Sequence, residues 1–262
     1  MTRTRHSSKN ALGLTELIVA LAVVSLILAA VISLTGSVLR VTDRSSTDNN
    51  MNDNARLAMD EMLLQIRCGS QILSALPGTV LSGNTYTTSS SSLVLTAPGY
   101  NPANSAIFLG VTDYMTYRFN AATNTLTETI RPGAGSVRPA RVDMVLARNV
   151  SNVVFTYKAR DQFKVMVAGS RTLTLKAIPL QKPVAFVNGV AASCTWGGGA
   201  TVTVTTTVNG SDVQFVYPVS PASASAAGSE VEAVVTFSAL NARQQAQTQV
   251  IQGAACLRNA RL

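Results

Sequence analysis

The stretch NALGLTELIVALAVVSLILAAVISLTG, from Asn10 to Gly36, decides the fold because it carries a single charge, Glu16. No charged residue occurs from Leu17 to Leu39. As an α-helix this segment is roughly 35 Å long, which exceeds the bilayer's apolar core of about 30 Å. The sequence therefore predicts a membrane-spanning helix with an acid at its entrance.

The residues before this helix set its orientation. Arg3, Arg5 and Lys9 precede Gly13 with no acid among them. Basic flanks stay in the cytoplasm, so we expect the bulk of the chain outside it. Hydrophobic residues make up 47% of the chain and charged residues only 13%, and the body is rich in Thr, Ser, Val, Ala and Asn, which is typical of an exported β-rich protein.

Three interpretations of the N-terminus compete. A cleaved secretory signal has a shorter apolar region that ends in an Ala-x-Ala site, whereas here Ala20-Leu21-Ala22 lies in the middle of the run. An uncleaved signal anchor fits the length but leaves Glu16 unexplained, because a carboxylate at the edge of a membrane span is costly without a partner.

The third interpretation explains the acid. Gly13, Leu14, Thr15 and Glu16, followed by the apolar run, resemble the N-terminus of a type IV prepilin. The resemblance implies that prepilin peptidase cleaves after Gly13 and methylates Leu14, and that Glu16 takes part in assembly. It also implies that residues 1–13 are a leader peptide and residues 14–39 a membrane anchor.

The chain departs from the family at one position. The family's Glu is usually the fifth residue after cleavage, whereas Glu16 is the third when the cut follows Gly13. A cut after Ala11 places Glu16 fifth and Leu12 first, and this alternative stays open. We favour a cut after Gly13 because the position before the cut takes a small residue, and glycine meets that requirement best.

After the anchor, the polar stretch 42–54 is expected to fray or bend the helix, with Asp53 or Asn54 as the N-cap of its second part. A helical stripe of apolar residues then predicts an amphipathic helix that ends before Pro77. It consists of Met51, Ala55, Ala58, Met62 and Ile66.

β signals dominate from Val80 onward. Polar or flexible connections are expected at Thr87–Ser92 and Pro218–Ser229, and a hairpin turn at Thr123-Asn124. The expected strands are Ser92–Ala97, Ala106–Val111, Tyr114–Asn120, Thr125–Ile130, Arg141–Leu146, Asn152–Ala159, Phe163–Val167, Thr172–Ala177, Val184–Val187, Thr201–Val208, Val213–Tyr217 and Val231–Leu240.

Several body segments are similar to the J-type pseudopilins and W-type minor pilins. They are ARLAMDEMLLQIRCGSQI (residues 55–72), YMTYRFNAATNTLTETIRP (114–132), VLARNVSNVVFTYKARD (145–161), EVEAVVTFSAL (230–240) and ACLRNARL (255–262). The resemblance implies an α+β fold with a long helix over residues 14–77 packed on an antiparallel β-rich head over residues 78–262. Residues 162–229 do not match the group, and we expect them to form an inserted β subdomain.

The three cysteines, Cys68, Cys194 and Cys256, form no Cys-x-x-Cys pair and so do not predict a zinc or thioredoxin-type site. In an oxidising compartment a disulfide between Cys194 and Cys256 would tether the C-terminal tail and leave Cys68 buried on the helix. The alternative is three buried thiols that act as small apolar side chains.

Several function classes lack their chemistry. The only histidine, His6, lies in the leader, which argues against catalytic triads and His-ligated metal sites, and the glycine-rich stretches lack the Lys-Ser/Thr of a phosphate loop. The net charge of +8 is scattered, so no specific nucleic-acid partner is expected. We expect no enzyme, cofactor or metal.

The function that the resemblance implies is a minor pilin or pseudopilin of a type IV pilus or type II secretion pseudopilus, including the pili that serve competence. Its partners would be other pilins, prepilin peptidase, the assembly platform and the membrane. The alternatives are a membrane-anchored β-rich adhesin and, less favoured, a cell-envelope enzyme.

Overall fold

The computed structural model describes residues 13–78, 85–101, 106–240 and 246–257. Within them the chain forms two α-helices and fourteen strands, and every strand pair is antiparallel. The helices are α1 (Leu14–Cys68) and α2 (Pro221–Ala227). The expected α+β class, with one long N-terminal helix and an antiparallel β-rich region, is confirmed.

The strands form three sheets. The five-stranded sheet has the order β1-β2-β3-β4-β5, with β1 (Gln71–Ile72), β2 (Ser92–Asn101), β3 (Ala106–Asn120), β4 (Thr125–Arg131) and β5 (Arg141–Arg148). The six-stranded sheet has the order β14-β13-β6-β12-β8-β9, with β6 (Val150–Val165), β8 (Val184–Val187), β9 (Val190–Ala192), β12 (Ser211–Val219), β13 (Gly228–Leu240) and β14 (Ala246–Cys256). The three-stranded sheet has the order β10-β11-β7, with β7 (Gly169–Thr174), β10 (Cys194–Trp196) and β11 (Thr201–Thr206).

Helix α1 is continuous, and the break expected over residues 42–54 is wrong. Thr42 donates its hydroxyl hydrogen bond to the carbonyl of Val38 at 3.0 Å, one helical turn back. Farther along, the amide of Gln249 on β14 donates to the side chain of Asn52. Packing on β14 supports the helix from Met51 onward, whereas residues 42–46 and 49–50 are exposed and stay helical within the continuous helix.

The helix also ends earlier than residue 77. Gly69 closes it by donating its backbone N–H to the carbonyl of Ile66 at 2.9 Å. A side chain at Gly69 would start 2.8 Å from Leu257, so glycine allows the chain to turn there. Ser70 then donates to the carbonyl of Thr96 at 2.7 Å, and the chain enters β1 rather than a further helical turn.

The second half of α1 packs on the six-stranded sheet. The expected stripe of Met51, Ala55, Ala58, Met62 and Ile66 is buried. Gly253 on β14 leaves room for the helix, because a Cβ there would lie 2.5 Å from Leu63. The absence of a side chain at Gly253 therefore lets the helix approach the edge strand closely.

Residues 162–229 are β-rich, as expected, but they share a sheet with the rest of the head. Strands β8, β9 and β12 extend the six-stranded sheet, and β12 pairs with β6 from Val219 opposite Tyr157 to Ser211 opposite Val165. Strands β7, β10 and β11 form the separate three-stranded sheet. Part of the segment therefore continues the head's larger sheet, and the rest forms a sheet of its own.

The flexible connection expected at Pro218–Ser229 is wrong. Its first residues complete β12 and its last two begin β13, with α2 between them. Ser220 caps α2 by accepting the N–H of Ser223, and Pro221 occupies the first turn, where its missing N–H costs nothing. Ala224 is buried, which anchors the short helix.

Candidate functional site

The first half of α1 is apolar on all sides and packs on none of the residues that the structure describes. Its large apolar residues from Leu17 to Val41 are all more than half exposed. Its most apolar part has a mean hydropathy of 3.0, and none of the residues in that part is buried. By length and composition, this helix near the N-terminus could span a membrane.

The helix begins at the residues that the sequence singled out. Gly13 is extended (φ −64°, ψ 152°), and its carbonyl accepts the N–H groups of Glu16 and Leu17. Oε2 of Glu16 in turn accepts the N–H of Gly13 at 3.2 Å. The carboxylate thus caps the helix N-terminus, where the backbone dipole favours negative charge.

The favoured cleavage position coincides with this boundary. The Gly13–Leu14 peptide joins an extended residue to the first residue of α1. Ala11 and Leu12 lie outside the described residues. The structure therefore places the favoured bond at the start of the helix.

Arg141 joins the packed half of α1 to the five-stranded sheet through a partly exposed contact with Glu61 and a contact with the buried Glu128. Nη1 of Arg141 lies 2.6 Å from Oε2 of Glu128 and 3.1 Å from Oε1 of Glu61 on α1. Glu128 has no exposed surface, and its Oε1 accepts the hydroxyl hydrogen bond of Tyr117 at 3.0 Å. One guanidinium thus connects the helix to β4 and β5.

A second arginine makes a parallel connection. Nε of Arg138 donates to Oδ2 of the buried Asp113 at 2.9 Å, and its Nη1 donates to Gln65 on α1 at 3.0 Å. Asp113 also accepts hydrogen bonds from the hydroxyl of Ser136 at 2.9 Å and the N–H of Gly133 at 2.8 Å. We call the set Glu61, Gln65, Asp113, Glu128, Arg138 and Arg141 the arginine clasp.

The pKa values of Tyr117, which borders the clasp, and of Arg141, which belongs to it, are both raised. Burial raises the pKa of Tyr117 well above its ordinary value, and the neighbouring charge of Glu128 adds to the effect. Hydrogen bonds to Glu128 and Glu61 raise the pKa of Arg141. A protonated tyrosine and a permanent guanidinium suit a fixed structural connection rather than proton transfer.

Sequence reasoning missed the clasp. Its acids appear scattered because they are separated from their arginines by 13, 25 and 80 residues. Asp113, Glu128 and Arg141 lie on three successive strands, and only the order of these strands and the packing of α1 bring the partners together.

The cysteines do not form the predicted pair. Cys194 and Cys256 are not joined, and Cys194 is buried with its thiol donating to the carbonyl of Pro183 at 3.3 Å. Cys194 follows β9 at one edge of the six-stranded sheet and Cys256 ends β14 at the other. That separation, on the order of 20 Å, exceeds the roughly 7 Å that a disulfide allows between Cα atoms.

The other thiols are exposed. Cys68, expected to be buried, lies exposed at the last position of α1. Cys256 is also exposed, and its thiol lies 3.7 Å from Glu230. Partial burial and the charge of Glu230 raise the pKa of Cys256.

Two open grooves of about 430 Å³ each occur in the described part of the chain. One lies where α1 leaves the head, beside Met51, Arg148 and Phe237. The other lies beside Lys164, Gly189 and Asp212. Neither brings together a pair of carboxylates, and the described residues contain no group of three or more His, Cys, Asp or Glu that could hold a metal.

Comparison with family models, with curated proteins and with solved structures finds no match to this chain.

Proposed function

We propose that this protein is a minor pilin or pseudopilin, a non-enzymatic subunit that is anchored in the membrane and then assembled into a fibre. The observation that carries the proposal is the division of one unbroken helix into a fully exposed apolar half and a half clasped to a β-rich head. Such a helix can exchange a lipid environment for an equally apolar bundle of neighbouring helices.

The exposed half suits both environments. Association of apolar helices in lipid depends on close packing, and Ala20, Ala22, Ser25, Ala29 and Ala30 are small enough to permit it. An assembly platform would then extract the subunit with little change in the environment of its side chains. The arginine clasp supports this step because Arg141 and Arg138 link the helix to the head.

Cleavage after Gly13 would change the role of Glu16. In the uncut chain its carboxylate accepts the N–H of Gly13. Cleavage removes that donor and creates a positive amine on Leu14, two residues before the acid. A carboxylate in an apolar bundle then needs a positive partner, either this amine or the amine of a neighbouring subunit.

The proposal is tested by following the chain in paired strains with and without prepilin peptidase. We expect a shorter product only where the peptidase is present, together with co-purification with pilus or pseudopilus components from sheared fibres. Identical products in both strains, with the protein never found beside those components, would overturn the proposal in favour of a membrane-anchored adhesin.

A further inference from the structure

Two chain reversals form one corner of the head. Strand β6 continues into β7 through residues 166–168, and β11 continues into β12 through residues 207–210. The two connections are hydrogen-bonded side by side. The N–H of Ala168 donates to the side chain of Asn209 at 2.7 Å, and the N–H of Gly210 donates to the carbonyl of Met166 at 3.3 Å.

A third turn is fixed beside this corner. Asn188 and Gly189 connect β8 to β9 with φ values of 50° and 80°, as a two-residue hairpin turn requires. The side chain of Asn188 accepts the N–H of Asp212 at 2.8 Å, and its backbone N–H donates to the carbonyl of Asp212 at 2.8 Å. The three turns therefore form a preorganised surface.

This surface lies at the end of the head opposite the apolar half of α1. The C-terminal end of α1 lies beside Leu257, next to Cys256 at the end of β14. In the strand register Glu230 lies opposite both Cys256 and Lys158, so Lys158 on β6 is level with the C-terminal end of α1. Strand β6 then continues seven residues to Val165, or roughly 20 Å farther from the exposed part of α1.

The turns carry apolar side chains. Met166, Val167, Val190 and Val208 are each more than half exposed, although turns usually present polar residues. Met166, Val167 and Val208 belong to the two joined connections, whereas the strand register sets Val190 on the sheet face opposite Lys164 and Asp212. Exposed apolar side chains gathered at one place on a surface are often functional. We call Met166, Val167 and Val208, with Lys164 and Asp212, the distal patch.

The charges of the distal patch have both signs. Lys164 and Asp212 face each other in the β6–β12 register, and both are exposed. Within the part of the chain that the structure describes, no ion pair involves either residue. Each can therefore accept a partner from outside the chain.

We propose that the distal patch binds the distal patch of a second copy of this chain through a two-fold contact. Two-fold symmetry places Lys164 of each copy against Asp212 of the other, while the apolar turns of the two copies meet. A contact of this size falls at or below the low end for a specific interface, which is about 1,000 Å². We expect a dissociation constant on the order of 10 to 100 µM. The contact would join two copies head to head, with their α1 helices at the two far ends of the dimer. It does not require processing at Gly13.

The test uses the full chain in detergent and measures association by sedimentation velocity. The double variant Met166→Ser/Val208→Ser should be at least tenfold weaker in self-association than the wild type. The double variant Ile178→Ser/Leu180→Ser removes equally exposed apolar side chains near Pro218, away from the patch, and should leave association unchanged. A wild-type chain that stays monomeric, or equal effects of both double variants, would overturn the proposal.

Charge variants give a second test that does not depend on apolar exposure. Lys164→Asp alone and Asp212→Lys alone should each abolish association, since like charges then face each other. Mixing the two single variants should restore it, because both bridges become complementary across the two-fold axis. Failure of the mixture to associate, with both variants folded by circular dichroism, would contradict the two-fold contact.

Discussion

The Nη1 atom of Arg141 lies 2.6 Å from Oε2 of Glu128, a carboxylate that has no exposed surface. The same Nη1 atom contacts Glu61 on α1. Arg141 therefore does more than neutralise a buried charge, because its contact with Glu61 links α1 to the sheet of the head.

Replacing Arg141 by alanine should destabilise the head strongly. The substitution leaves Glu128 buried with only Tyr117 as a partner, and we expect a loss of about 2–4 kcal/mol in the free energy of unfolding. The control Arg148→Ala removes an exposed arginine for which no ion pair is found in the described residues, and it should change stability by less than about 0.5 kcal/mol. Urea unfolding followed by Trp196 fluorescence measures both, and equal effects would contradict the clasp.

The packed half of α1 gives a second pair of variants. Met62 is fully buried against the head, whereas Leu64 on the same helix is 59% exposed. Met62→Ala should cost about 2–5 kcal/mol through lost burial and cavity formation, and Leu64→Ala should cost much less. If Leu64→Ala were as destabilising as Met62→Ala in the same urea titration, the assigned buried face would be wrong.

High pH should destabilise the protein through its buried tyrosines. Burial is the main cause that raises the pKa of Tyr117, Tyr157 and Tyr217 above the ordinary value of 10.0. The folded state therefore favours the protonated phenols, so their contribution to stability is complete below pH 10.0 and is lost as the pH rises above it. We therefore expect part of the tyrosinate absorbance to appear only as the protein unfolds. Complete ionisation by about pH 11 with unchanged circular dichroism would contradict this assignment.

The thiols should react as separate groups. In the native chain at neutral pH, a maleimide should leave the buried Cys194 unmodified until the protein unfolds. Cys256 should react, but more slowly than a simple exposed thiol because its raised pKa lowers the thiolate fraction. Mass spectrometry of a non-reduced digest provides the check, and a peptide pair linking Cys194 to Cys256 would refute the arrangement.

Local patterns predicted the elements that depend on local physics. The apolar run and the stripe ending at Ile66 predicted the two halves of α1, and most strands were anticipated from alternation. The turn at Thr123-Asn124 is confirmed, with Asn124 in the left-handed region at φ 51°. Strand β3 joins two expected strands through an irregular register opposite Pro98 and Gly99.

The rest depends on contacts distant in sequence. The Gln-rich strand β14 has weak strand propensity and is held by β13 and by the packing of α1 on its face. The same contacts keep α1 helical near Asn52, where propensity alone predicted a break. The arginine clasp and the separation of Cys194 from Cys256 are likewise set by the order of strands in the sheets, which no short motif encodes.

The central claim is that the chain is a processed subunit whose exposed helix begins at a newly formed terminus. Mass spectrometry of the mature N-terminus in the native host tests it most directly. The account predicts a methylated Leu14, or a methylated Leu12 if the cut follows Ala11. An intact Met1, or a terminus beyond Ala30, would contradict it.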